Sequence, residues 1–196
     1  MAHPLGDDAL DQLFRNARTH RAWLDRPIGE ATLMAVVELM KMGPTSANCS
    51  PARVVFVVSK DAKERLKPHL SRGNVEQTMA APATAVLGYD LRFYEHMARL
   101  YPENPEARSW FEGKPDVAEN ALRNASLQGG YFIMAARALG LDCGPMGGFE
   151  HAGVEREFFP EGHVKANFLC NLGYGDTARL GPRGPRFEAR EIARIV

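Results

Sequence analysis

Two glycine- and proline-rich stretches carry the groups most able to hold a small ligand. Gly43-Pro44-Thr45-Ser46-Ala47-Asn48-Cys49-Ser50-Pro51-Ala52 joins an apolar periodic segment to the branched run Val54-Val55-Phe56-Val57-Val58. Pro44 and Pro51 lack a backbone N–H and hold φ near −65°. Gly43 tolerates conformations that other residues avoid. The loop offers hydroxyls, one carboxamide and no charge, which suits the edge of a flat, polar-rimmed ligand. Composition alone favours a plain helix–strand connector. Gly140-Leu141-Asp142-Cys143-Gly144-Pro145-Met146-Gly147-Gly148-Phe149 is the second such stretch. Its backbone can lie against a ring face or edge, or it can be a tight turn.

Asn74 and Gln77 are three apart in a helical segment and so point the same way. Both can donate and accept, as the edge of a flavin pyrimidine ring requires; an exposed polar face is the other reading. Arg15, Arg18, Thr19, His20 and Arg21 form one basic cluster, and Arg179, Arg183 and Arg186 another. They are either solvated surface or two halves of one phosphate site, since Arg binds phosphate bidentately. Gly173-Tyr174-Gly175-Asp176-Thr177-Ala178 has the spacing of a dinucleotide fingerprint, but the glycines and prolines of 181–185 cannot open the helix that this motif needs. The six histidines show no paired metal spacing. Cys143 has no obvious histidine partner and reads as a packed thiol.

The elements that must position these groups follow from apolar periodicity. Helices are predicted over 7–18, 30–42, 61–66, 73–80, 91–100, 116–139, 150–158 and 187–195. Strands are predicted over 53–58, 84–89, 141–144 and 166–172. Residues 101–115, with three prolines, Trp110 and Phe111, read as a loop or lid. Helix 116–139 has a long apolar stripe and small residues, Ala121, Ala125, Ser126, Gly129 and Gly130, that admit another helix. Helices first and strands separated by helices afterwards imply layers around one sheet.

A chain of 196 residues suffices for one domain, 1–196. Zero formal net charge gives no reason to expect nucleic acid or an anionic membrane as partner. The apolar runs 54–58 and 83–88 are too short to span a bilayer. The first residues lack the basic and apolar regions of a signal peptide. Three widely spaced cysteines make no disulfide framework, and a reducing cytoplasm fits.

Together these pieces resemble the nitroreductase family of FMN-dependent oxidoreductases over almost the whole chain. The matching features are Arg18-Thr19-His20-Arg21 with Trp23, the loop Pro44 to Pro51, Asn74 with Gln77, Gly144 to Phe149, and the terminal arginines. Longer likenesses are to the short malonic semialdehyde reductase branch, which ends a pyrimidine-degradation pathway. These lie at Ala17 to His20, Gly43 to Arg53, Ala107 to Phe111, Gly140 to Phe149 and Asn171 to Asp176.

The resemblance implies a three-layer α+β fold with a mostly antiparallel central sheet flanked by helices. It implies an obligate homodimer with two FMN sites at the subunit interface, helix 116–139 in its core and the tail after Asp176 reaching the partner. Arg18, Thr19 and Arg21 would hold the FMN phosphate, ribityl chain and N1/O2 edge, where a cation stabilises the reduced flavin. Asn74 and Gln77 would bond the pyrimidine edge. Ser46 and Asn48 would come from the other subunit. Pro145, Met146 and Gly147 would lie by the ring, and Arg183 with Arg186 would close on the phosphate. The chain departs from many members at Ala17, Ser50, Gly147 and Gln77, where arginine, glutamine, an acidic residue and lysine are common.

The implied activity is a ping-pong transfer of hydride from NADH or NADPH, through FMN, to a small acceptor. That acceptor would be malonic semialdehyde, reduced to 3-hydroxypropionate, with Arg108 or Arg123 meeting its carboxylate. The alternatives are a broad nitroaromatic or quinone reductase and, from another class, a flavin-binding protein without turnover.

Overall fold

The structure is a computed structural model and describes residues 3–196. Four strands, β1 (Ala52–Val57), β2 (Ala83–Asp90), β3 (Asp142–Met146) and β4 (Val164–Gly173), form one sheet in the order β1-β2-β4-β3. All three pairings are antiparallel. Alternate residues of a strand face opposite ways, and both faces are apolar. Ala52, Val54 and Phe56 of β1 pack toward one core and Val55 and Val57 toward the other.

β4 changes face partway. Leu87 pairs with Phe168 but Gly88 pairs with Ala166, so Asn167 is an extra, bulged residue. Val164 and Ala166 therefore join one core, while Phe168, Cys170 and Leu172 join the other. A one-residue insertion reverses every side chain beyond it.

Helices α2 (Glu30–Met40) and α6 (Val117–Ala138) cover the first face through Leu33, Val36, Phe132 and Ala136. Gly129 of α6 lets the helix sit close: a Cβ there would fall 2.6 Å from the Phe168 ring. Helices α3 (Lys60–Leu66), α4 (Arg72–Ala80) and α7 (His151–Phe158) cover the second face through Leu66, Val75 and Val154. The result is the expected three-layer α+β arrangement.

Three expected helices are shorter than the sequence suggests. The first is α1 (Asp7–Leu10), continued by a wide turn over Asp11–Arg15 in which Asn16 N–H donates to Asp11 C=O at 2.8 Å. It ends at residue 15 rather than 18 because Thr19 must be extended to bridge Cys143. The 91–100 segment is a 3₁₀ turn, Phe93–His96, before the single turn α5 (Met97–Leu100). The 187–195 segment is helical only over α8 (Ala189–Ile192). Its apolar residues have no surface to pack on: Phe187 is 75% exposed and Ile192 73%.

The 101–115 stretch contains a 3₁₀ turn, Pro105–Trp110, and is pinned through its middle. Ala107 and Phe111 are buried with Phe93, Met97 and Ala121 in a third apolar cluster, and the Phe93 and Phe111 rings meet edge-on at 5.0 Å. After Gly175, Asp176 caps only one 3₁₀ turn, Thr177–Arg179. No helix opens there, and the dinucleotide reading is excluded.

Candidate functional site

Residues 18–23 form an extended segment laid along β3. Thr19 makes a parallel bridge to Cys143, and His20 N–H donates to the Cys143 carbonyl at 3.0 Å. Gly144 permits the close approach: a Cβ there would lie 2.6 Å from the His20 carbonyl oxygen. The segment is fastened at its far end by Trp23, whose Nε1 donates to the Gln77 carbonyl at 3.0 Å. His20 is buried beneath it, with Nε2 3.4 Å from Asp142 Oδ1 and Nδ1 without a hydrogen-bond partner.

This segment projects its basic side chains into a cavity of about 460 Å³. Arg18, Thr19 and Arg21 line one wall, and Arg183 and Arg186 of the tail line another. The two basic clusters of the sequence therefore converge. Arg18 donates to Gly181 C=O at 2.7 Å, and Arg183 donates to Arg15 C=O at 2.7 Å and Ala17 C=O at 2.9 Å. These bonds hold the tail against the segment after α1. Arg179, grouped with the tail arginines in the sequence, does not line the cavity.

Sequence reasoning missed Arg137, at the last turn of α6, which also lines the cavity. Its Nη1 donates to Leu13 C=O at 3.0 Å. Among the described residues no acidic side chain lines this space. None of the five arginines has a carboxylate within 4.0 Å among the described residues, whereas Arg15, Arg53, Arg65, Arg108 and Arg123 are each ion-paired.

Asn74 and Gln77 meet as their spacing suggested. Gln77 Nε2 donates to Asn74 Oδ1 at 2.7 Å, and Asn74 Nδ2 donates to Gly148 C=O at 2.8 Å. A Cβ on Gly148 would fall 2.6 Å from Asn74 Nδ2. The second glycine loop thus begins as strand β3, through Pro145 and Met146, and then turns against α4. Met146 Sδ lies 3.6 Å from Thr78 Oγ1 on that helix. Gly147 is exposed, with open space where a Cβ would point. Trp23 ties this polar pair to the arginine wall.

Ser46 and Asn48 stand elsewhere. Ser46 N–H donates to Asn124 Oδ1 at 2.8 Å and Asn48 Nδ2 donates to Leu100 C=O at 2.7 Å. Their loop is unusual: Ala47, Asn48 and Ser50 all have positive φ, at 47°, 52° and 41°. It ends at Ala52, which pairs with Tyr89, whereas Cys143 pairs with Leu172 and Leu172 with Ala83. The loop and the arginine wall thus flank opposite ends of the sheet, six β2 residues apart, or about 20 Å at the usual rise per residue. Arg108 and Arg123 lie outside the cavity, each tied to a carboxylate one turn away, Glu112 and Glu119.

An antiparallel α+β scaffold with an acid-free cavity lined by arginines defines a domain suited to a phosphate-bearing ligand. The chain belongs to the Nitroreductase family, whose sequence profile matches residues 14–174. A Burkholderia lata protein is 58% identical over 97% of this chain and 98% of its own length. A Stenotrophomonas maltophilia protein is 55% identical over the full length of both. Both carry the provisional name NADH dehydrogenase/NAD(P)H nitroreductase. A Bacillus subtilis nitroreductase-type structure superposes with a TM-score of 0.88 at 24% identity, covering 97% of this chain and 100% of that one. An Exiguobacterium sibiricum structure, solved in complex with FMN, gives 0.86 at 19% identity and covers both chains fully. These two likenesses establish the nitroreductase-like fold.

Proposed function

We propose that this protein is an FMN-dependent NAD(P)H oxidoreductase. The observation that carries the reading is the cavity in which five arginines converge without a counter-charge. A phosphomonoester supplies that charge, and Arg is the side chain best shaped to bind it. FMN fits the rest of the donor set. Arg18, Thr19, Arg21, Arg183 and Arg186 would hold its phosphate and ribityl chain. Asn74 and Gln77 would pair with the pyrimidine edge, and Pro145, Met146 and Gly147 would lie by the ring. When bound, FMN would take hydride from NADH or NADPH and deliver it to an acceptor. The protein's own part is to fix the ring, supply positive charge near its polar edge and exclude water.

We take the working form to be a homodimer. Ser46 and Asn48 lie about 20 Å of strand away from the arginine wall, so in a site that uses both they come from two chains. Phe187 and Ile192, beyond the part of the tail that Arg183 ties down, are 75% and 73% exposed, as expected of a segment that reaches a second copy. Three buried free thiols suit a cytoplasmic protein, and no helix among the described residues is long and apolar enough to cross a membrane.

Malonic semialdehyde is our first choice of acceptor, on the strength of the Ala17–His20, Gly43–Arg53 and Gly140–Phe149 likenesses. A broad nitroaromatic or quinone acceptor range is favoured by the names of the relatives and by the pairing of Arg108 and Arg123, which leaves neither free for a substrate carboxylate. An anaerobic absorbance titration of FMN-loaded protein with NADH, followed by an acceptor panel, decides. Bleaching by NADH with recovery fastest for the aldehyde supports the specific reductase. Recovery only with quinones or nitroaromatics supports the general one. Failure to bind FMN ends the flavin reading.

A further inference from the structure

We infer that Arg137 is a phosphate ligand of this cavity, contributing a charge from α6 at the place where residue 17 is too short to contribute one. The inference rests on the flavin reading above for the identity of the phosphomonoester, and on geometry for the role of the residue. Arg137 and Ala17 together line both the arginine cavity and a neighbouring cavity of about 230 Å³, so the two residues flank the same space. Ala17 brings only a methyl group to that space, Asp142 lines the neighbouring cavity alone, and Arg137 is the arginine lining both.

Arg137 is half-buried, and among the described residues its guanidinium makes one hydrogen bond, from Nη1 to the Leu13 carbonyl. A guanidinium has five N–H donors, so most of its capacity is unused. Partial burial without an anion is costly for a charged group, and no carboxylate stands within 4.0 Å among the described residues. The arrangement is complete only when an anion enters. The Leu13 bond fixes the side chain before the ligand arrives, so little rotamer freedom is lost on binding. Placement on a 22-residue helix gives Arg137 a firmer base than Arg183 and Arg186, which belong to an exposed tail.

The test compares FMN with riboflavin, which lacks only the phosphate, by flavin-fluorescence titration of apoprotein. The variant is Arg137→Gln, whose amide can still donate to Leu13 but carries no charge; matching circular dichroism confirms folding. FMN affinity is expected to fall about ten- to a hundredfold, the usual worth of a charge-assisted hydrogen bond, with riboflavin affinity unchanged within about twofold. Ala17→Arg in the Arg137→Gln background is expected to recover most of the FMN loss. Equal losses for both flavins, or no loss for either, overturn the assignment. If the unaltered protein binds neither flavin, the flavin reading fails, and inorganic phosphate then reads Arg137 directly. Weaker phosphate binding by Arg137→Gln upholds the residue as an anion ligand, and unchanged binding overturns it.

Discussion

Asp142 holds His20 and Gly175 at once. His20 Nε2 is 3.4 Å from Asp142 Oδ1, and Gly175 N–H donates to Asp142 Oδ2 at 2.8 Å. The carboxylate thereby stands between the segment carrying Arg18, Thr19 and Arg21 and the chain leaving β4. Gly175 has no room for a side chain, since a Cβ would lie 1.9 Å from His20 Nδ1. Gly175→Ala must displace a buried imidazole, at a cost of about 1–3 kcal/mol or more for overpacking. At about 2–4 °C per kcal/mol for a chain of this size, thermal unfolding should drop by roughly 5 °C. FMN affinity should fall with it, because the arginine wall moves. An unchanged melting temperature would show that His20 is free to swing aside.

The Asn74–Gln77 pair gives a second prediction. Gly148→Ala places a methyl against Asn74 Nδ2 and breaks the bond to the Gly148 carbonyl. Asn74→Ala removes the side chain and leaves Gln77, itself buried, without a partner. Each loss costs about 1–3 kcal/mol where the remaining group stays buried. Both variants should weaken FMN and riboflavin to similar extents, since the ring edge is common to the two. A loss confined to FMN would place the pair at the phosphate instead.

These contacts show which parts of the site sequence alone could reach. Strand β1 was legible from its branched run Val54 to Val58, the other three only as short, largely apolar stretches, and helices 30–42 and 116–139 because their apolar spacing is sustained. Asn74 with Gln77 was legible because helical spacing makes neighbours of residues three apart. The convergence of Arg18 with Arg183 remained one of two readings, since only the folded path of the tail brings residues 165 apart together. Arg137 gave no signal: it lies at the end of a long apolar stripe, where a basic residue is expected for the helix dipole alone. The face reversal at Asn167 was equally silent, because a bulge changes register without altering composition. The first helix was overextended because Ala17 continues its apolar period while the bridge from Thr19 to Cys143, a tertiary contact, ends it.

The acceptor end makes a third prediction. Arg108 is exposed and bonds Glu112 twice, Nε to Oε2 at 2.8 Å and Nη2 to Oε1 at 2.5 Å. That partner holds the Glu112 carboxyl below the usual carboxylate range. A substrate carboxylate would have to replace Glu112. If Arg108 meets the substrate, Arg108→Ala raises KM for a carboxylated aldehyde about tenfold and leaves KM for a neutral quinone unchanged. Glu112→Gln, which frees the guanidinium, should lower KM for the aldehyde. Equal effects on both acceptors would remove Arg108 from the substrate site.

The last prediction concerns alkaline stability. Lys63 is buried, and its Nζ donates to the carbonyls of Thr78 and Ala81 at the end of α4, the helix that carries Asn74 and Gln77. Burial without a carboxylate lowers its pKa from 10.5 to about 8. A neutral amine still has two N–H donors, one for each carbonyl, so deprotonation removes a buried charge without loss of bonding. Between pH 8 and 10.5 the unfolded chain holds this proton and the folded chain does not, so stability rises with pH across that window. Cys49 acts the other way. Burial raises its pKa from 9.0 to about 11, so from pH 9 to 11 the folded chain keeps a proton that the unfolded chain loses, and stability falls. Thermal unfolding temperature should therefore rise from pH 7.5 to about 9 and then flatten or decline. The pKa of the wholly buried Cys170 thiol is raised as well and acts in the same direction as that of Cys49, so Lys63→Met should abolish the rise and Cys49→Ala should soften the decline above pH 9. A melting temperature that falls steadily from pH 7.5 in the unaltered protein would mean that Lys63 keeps its charge in the folded state.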